Sequence, residues 1–225
     1  MKKIAFIFIL PVFIIHIAFA QNSQKTNLSL KVSAAAEANR TALAGYVWTR
    51  TVTVYEGGQL KLTTVSSLSV GSDGKLVTTV VSSTPTKPPK NGILGDKERK
   101  KLKELQTYVD GAMAEAQGYI YPTKGKMVDF FDKATITPSS KTFKVTGTNV
   151  NKTGDTLTMN IIKPTLAYTS QSFKSTLSNN DPVSGSVNYK TFSNGLTAID
   201  SGHLTLPAKN LKLHVTNSNY AKKMN

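Results

Sequence analysis

YVWTRTVTVY, residues 46–55, alternates with a period of two. Tyr46, Trp48, Arg50, Val52 and Val54 fall on one face, and Val47, Thr49, Thr51, Thr53 and Tyr55 on the other. That is the pattern of a strand in a sheet with one covered side. Glu56-Gly57-Gly58 follows with turn chemistry. The next run alternates again, and the period places Leu60, Leu62, Thr64, Ser66, Leu68 and Val70 on a single face. Ser72-Asp73-Gly74 supplies a second tight turn, since Asp-Gly tolerates the positive φ angles that a hairpin needs. Lys75 to Ser83 then returns as a third strand. Three strands joined by short turns make an antiparallel meander.

Upstream, from about Asn27 to Tyr46, Leu28, Val32, Ala35, Ala36, Ala42 and Leu43 recur at helical spacing around the helix-forming run SAAAEA. Before that helix, Lys2 and Lys3 precede an uncharged run, Ile4 to Ala20, that ends in Ala18-Phe19-Ala20. This is the layout of an export signal cleaved after Ala20. The alternative is a retained anchor, but 17 residues are short for a bilayer span, and Pro11 and His16 interrupt them.

Downstream, Pro85, Pro88, Pro89, Gly92 and Gly95 form a linker near residues 84–95 that no strand can continue through. Asp96 is the expected N-cap of a second helix, with Leu102, Leu105, Val109, Met113 and Ala116 as its apolar stripe. Pro122 to Ala134 reads as a short third helix packed through Met127, Phe130 and Phe131. The remainder alternates as strands around Phe143 to Val145 and Leu157 to Ile161, then over residues 165–177, 183–192, 196–206 and 211–215. The expected architecture is α+β: one curved antiparallel sheet, a half-barrel of about nine strands, with three helices on its concave side. Residues 21–225 are expected to form a single β-rich domain.

The chain carries 28 Lys and Arg against 13 Asp and Glu, a net charge of +15, or +13 once Lys2 and Lys3 leave with the signal. This excess favours anionic partners such as lipid headgroups. Export and the lack of an aromatic-in-basic motif argue against nucleic acid. With no cysteine, disulfides, thiolate metal sites and an N-terminal lipid anchor on cysteine are excluded. No Gly-x-Ser-x-Gly elbow or phosphate-cradling glycine loop occurs. His203 and His214 stand apart from any second metal-spaced ligand, and Asp129 with Asp132 reads as a solvated helical pair. No catalytic residue, metal or cofactor is expected.

Two features carry binding chemistry. Arg50 shares a strand face with Tyr46, Trp48 and Val52, and Leu60 and Leu62 are expected on the same covered side. If that side lines a cavity, the aromatic and aliphatic groups would contact an acyl chain and the guanidinium its anionic head. Alternatively Arg50 lies at an edge and snorkels to water. Lys97, Arg99, Lys100, Lys101 and Lys103 cluster at the start of the second helix, where positive charge opposes the macrodipole. They read either as a surface for anionic membrane or as a solvated face partly paired with Glu98 and Glu104.

The Asp73-Gly74 hairpin, the linker Pro85 to Gly95 running into a basic helix, the Pro207-Ala208-Lys209 turn and the closing Asn219-Tyr220 resemble uncharacterised exported proteins of Gram-negative bacteria. More remotely, the order of elements is similar to periplasmic lipoprotein carriers of the LolA/LolB type. That resemblance implies a half-open antiparallel barrel closed by helices around an apolar cavity, and a periplasmic location. It transfers no ligand residue. The function expected is non-enzymatic binding or carriage of a lipid or a lipoprotein acyl chain. The alternative is an envelope-interaction protein whose helices fill the sheet and leave no pocket.

Overall fold

The computed structural model describes residues 10–223, and the side chains of residues 25–223. Residues 1–9 of the expected signal, with Lys2 and Lys3, therefore lie outside the described residues, and residues 10–20 are described in backbone only. The elements in chain order are α1 (Leu10–Leu43), β1 (Tyr46–Glu56), β2 (Gln59–Val70), β3 (Leu76–Pro85), α2 (Gly92–Ile120), α3 (Lys124–Lys133), β4 (Thr135–Pro138), β5 (Thr142–Thr148), β6 (Thr156–Ile162), β7 (Tyr168–Thr176), β8 (Pro182–Thr191), β9 (Thr197–Leu206) and β10 (Leu211–Lys222). No helix among the described residues is long and apolar enough to cross a membrane.

All ten strands belong to one open antiparallel sheet in the order β3-β2-β1-β10-β9-β8-β7-β6-β5-β4. Each strand pairs with its chain neighbour except across the helices, so two meanders arise. The β1–β10 ladder joins them, with Val54 opposite Leu213, Val52 opposite Val215 and Arg50 opposite Asn217. All six of these side chains are buried on the concave side. The count exceeds the expected nine because of β4, a four-residue edge strand whose TITP sequence is too short to show a period.

The turns form where the sequence signals them. Gly57, Gly58 and Gly74 all take positive φ. α1 ends at Leu43, three residues short of the expected Tyr46, and begins further upstream than Asn27. α2 begins at Gly92 behind Asn91, so Asp96 is not its N-cap. It lies one turn inside the helix and pairs with Arg99. α3 is capped by Thr123, whose hydroxyl accepts from the Lys126 N–H at 3.4 Å, and it buries Met127, Phe130 and Phe131.

The main core fills the concave side between the sheet, α2 and α3, with Val109, Ala112, Ala116 and Tyr119 forming the buried stripe of α2. Tyr119 stacks on Phe173 at 4.7 Å, and its hydroxyl donates to Asp155, which also accepts the N–H groups of Val150, Asn151 and Lys152. Burial pushes the Asp155 carboxyl up, but the Tyr119 hydroxyl and these backbone donors outweigh it and hold it below its usual range. One carboxylate thus ties the 149–155 turn to α2. A second, smaller core gathers Leu43, Trp48, Leu68, Val70, Leu196 and Ala198 at the other end of the strands.

A candidate ligand cavity under the first helix

Between the C-terminal turns of α1 and the sheet lies a cavity of about 930 Å³. Its roof is α1 from Ala35 to Leu43. Its wall is the start of β1, the β2–β3 turn, the end of α2, Met127 of α3, the loop before β7 and the β8–β9 hairpin. The space exists because the roof residues are small: Ala35, Ala36, Ala38 and Ala42 reach a short way towards the strands. A helix with leucine at these positions would fill it. The volume falls within the roughly 300–1,000 Å³ of typical small-ligand sites.

The roof is held by polar contacts at its rim. The Asn39 amide pairs with the Thr197 backbone in both directions: Nδ2 donates to the carbonyl at 2.7 Å, and Oδ1 accepts from the N–H at 2.8 Å. Arg40 Nη2 donates to the Pro122 carbonyl at 2.9 Å. Further back, Lys25 Nζ donates to the Ala134 carbonyl at 3.1 Å. An asparagine inside a helix is a weak helix former with a side chain suited to backbone partners. Asn39 is a signal, passed over by the apolar periodicity, that α1 clasps something other than apolar surface.

Of the sequence-predicted binding residues, Tyr46 and Trp48 line the cavity. Trp48 is only 4% exposed and stacks on Tyr220 at 5.4 Å. The stacking follows from a bulge in the β1–β10 ladder: the register shifts between Val47 and Thr49, and Asn219 takes a positive φ opposite it. The closing Asn-Tyr pair is therefore the device that turns an aromatic ring onto Trp48.

Arg50, 6% exposed, does not open onto this cavity. It lines a neighbouring void of about 30 Å³, together with Tyr121, Gln117 and Ile120, which also line the cavity. Arg50 thus sits one phenol ring behind the cavity wall. It is not at an edge snorkelling to water. Its Nε donates to Asn217 Oδ1 at 3.2 Å, and the Tyr121 side chain borders the same void. Among the described residues no carboxylate lies within ion-pair reach of it. Burial lowers its pKa, against the opposing pull of the Tyr121 and Tyr220 oxygens. Burial likewise pushes the Tyr121, Tyr168 and Tyr189 phenols up, so these groups stay neutral.

The other residues go elsewhere. Val52 and Leu62 are buried in the main core and do not line the cavity. Leu60 is a correction: it is 37% exposed, with neighbours of the opposite face. Val54 pairs with Leu62 but Tyr55 pairs with Leu60, so Lys61 is an extra residue in the ladder. A bulge of one residue moves everything beyond it to the other side of the sheet. The period-two reading cannot detect such a bulge in an unbroken run.

Lys97, Arg99, Lys100, Lys101 and Lys103 are all exposed on α2. Only Arg99 has an acidic partner within ion-pair reach, Asp96. They lie at the opposite end of α2 from the cavity. His203 and His214 are exposed and face each other across β9 and β10, with Ser186 Oγ 3.3 Å from His203 Nδ1. No cluster of His, Asp and Glu among the described residues could hold a metal ion.

No family model matches the chain, and no curated protein does. Among the solved structures similar to it are these three. A DUF1329 family protein from Desulfovibrio piger shares 8% identity over 90% of this chain and 93% of its own, with a TM-score of 0.45. A domain described as an outer membrane lipoprotein-sorting protein, from Vibrio parahaemolyticus, shares 8% over 87% and 92%, with a TM-score of 0.41. A LolA superfamily protein from Nitrosomonas europaea shares 7% over 88% and 94%, with a TM-score of 0.38.

Proposed function

We infer that this chain is a non-enzymatic binding or carrier protein. It holds the apolar part of an amphiphile, such as a lipid or a lipoprotein acyl chain, beneath α1. The observation that supports this reading is the cavity of about 930 Å³ lined by Tyr46, Trp48, Met127, Leu196 and the alanines of α1. Empty apolar volume is costly to a fold, because the groups lining it forgo contacts on one side. A sheet filled by its helices, as the envelope-interaction alternative requires, would leave no space of this size.

The anionic end of a bound amphiphile would lie towards Tyr121, with the Arg50 charge behind it. The remainder of the reading follows from the sequence. The leader directs export and is cleaved after Ala20. Residues 21–225 form one β-rich domain, and the protein works in the periplasm of a Gram-negative cell.

Mass spectrometry of lipids that copurify with the native protein tests this reading. A stoichiometric acyl-bearing species is expected, lost when Ala38 and Ala42 are replaced by leucine to fill the space under α1. Copurification that ignores both substitutions would refute the cavity as the binding site.

A further inference from the structure

We propose that the face of α2 bearing Ile93, Leu94, Lys97, Lys100 and Lys101 docks the protein onto a bilayer that presents anionic headgroups, with the two apolar side chains entering the interface. Ile93 is 79% exposed and Leu94 65%; Ile93 is the most exposed large apolar side chain among the described residues. Their outward position is built into the turn that precedes them. The Lys90 N–H donates to Glu98 Oε2 at 2.8 Å, and Arg99 Nη1 donates to the Lys90 carbonyl at 3.4 Å. The incoming loop is thereby folded back against Gly95. A Cβ at that position would lie 1.6 Å from the Lys90 oxygen, so only glycine admits the loop. Gly92 takes φ +75° at the start of the turn. The loop occupies the glycine side of the helix, and Ile93 and Leu94 are left on the water side.

At about 100° per residue, Ile93, Leu94, Lys97, Lys100 and Lys101 fall within an arc of about 120° on one side of the helix, and all five are exposed there because, apart from Gly95 under the loop, the buried residues of α2 begin only at Val109. Lys97, Lys100 and Lys101 have no carboxylate within ion-pair reach among the described residues. Of the nearby acids, Asp96 holds Arg99 and Glu98 holds the Lys90 N–H, while Glu104 lies on the lysine face a turn further on without an ion pair to any of the three. Exposed cations bracketing an exposed apolar pair complement an anionic interface, which neutralises the lysines and buries the apolar tips together. A second copy of this chain would bring like charges into contact, and a nucleic acid would leave Ile93 and Leu94 in water. The surface is independent of the cavity: at 1.5 Å per residue, Leu94 lies about 35 Å from Gln117 at the cavity end of α2.

Sedimentation with vesicles tests it, using phosphatidylcholine alone and phosphatidylcholine doped with phosphatidylglycerol. The protein is expected to partition to the doped vesicles about tenfold or more above the neutral ones and to be released by salt. Lys97→Gln with Lys100→Gln and Lys101→Gln should weaken this about 100-fold. Ile93→Ser with Leu94→Ser should weaken it about tenfold at constant charge. All five positions are exposed or lie in the first turns of α2, so melting temperatures should not move, and displacement of an acyl probe from the cavity should be unchanged. Wild type and variants share one N-terminus, so any leader retained there contributes equally. Equal binding to both vesicles, a serine variant that binds like wild type, or a dimer in light scattering that the serine variant dissolves would each overturn the proposal.

Discussion

Replacing Arg50 by methionine separates a structural role from a ligand role, because the two readings move stability and affinity in opposite directions. Arg50 is buried and donates to Asn217, with no carboxylate within ion-pair reach among the described residues. Losing that bond costs about 1 kcal/mol. Removing a buried cation that lacks a counter-ion returns a comparable or larger amount, since desolvating an ion costs several kcal/mol. Methionine is also unbranched and flexible enough to fill the vacated channel. Arg50→Met is therefore expected to leave stability unchanged or raise it, by up to roughly 2 kcal/mol, which is about 4–8 °C in melting temperature for a chain of this size. Affinity should move the other way. Across one phenol ring, about 8 Å, unit charges at an effective dielectric of about 20 interact by about 2 kcal/mol, roughly 30-fold in binding. Oleate and oleyl alcohol share one chain and differ in charge, so each can be titrated against a fluorescent acyl probe. Arg50→Met should lower oleate affinity about 30-fold while leaving oleyl alcohol within about twofold. A variant that loses more than about 2 kcal/mol of stability with the oleate preference intact would show that Arg50 is there to hold β1, β10 and α2 together.

Trp48 is buried against Tyr220 and also lines the cavity, so its emission should be blue before any ligand arrives; bromine-labelled acyl chains should quench it without a spectral shift, and Trp48→Ala should cost about 3–5 kcal/mol in chemical denaturation. Asn39→Ala orphans the N–H and C=O of buried Thr197, at about 1–3 kcal/mol per group, and should speed acyl-probe exchange and amide hydrogen exchange at Thr197. Because the Asp155 pKa is held down in the folded chain, its contribution to stability is complete above the unfolded value of about 4 and is lost as pH falls through the folded one. Asp155→Asn should flatten that acid limb in pH-dependent melting and cost about 1–3 kcal/mol at neutral pH. Intact mass of the exported protein should place its N-terminus at Gln21; retention of Met1 would refute cleavage of the leader.

Local pattern carried most of the architecture. Alternation over YVWTRTVTVY, the Glu56-Gly57-Gly58 and Asp73-Gly74 turns, and the apolar stripes around Val109 and Phe130 each specify an element within a few residues, because side-chain direction and turn geometry are set by neighbours in the chain. They also specify which face of β1 is covered. What lies beneath that face was decided by contacts distant in sequence. The bulge at Lys61 that turns Leu60 outward appears only when β2 is laid against β1. The Trp48–Tyr220 stack needs β10 to close onto β1 with Asn219 in the left-handed region. The cavity needs the alanines of α1 held above the β8–β9 hairpin by Asn39 and Thr197, 158 residues apart. Whether a covered face is a packed core or an open site depends on the volume between two elements, and one strand's sequence does not contain that quantity. Val52 and Leu62 entered the core, Tyr46 and Trp48 bound the cavity, and Arg50 was sealed behind Tyr121, because α1, α2 and α3 cover different lengths of the same strands.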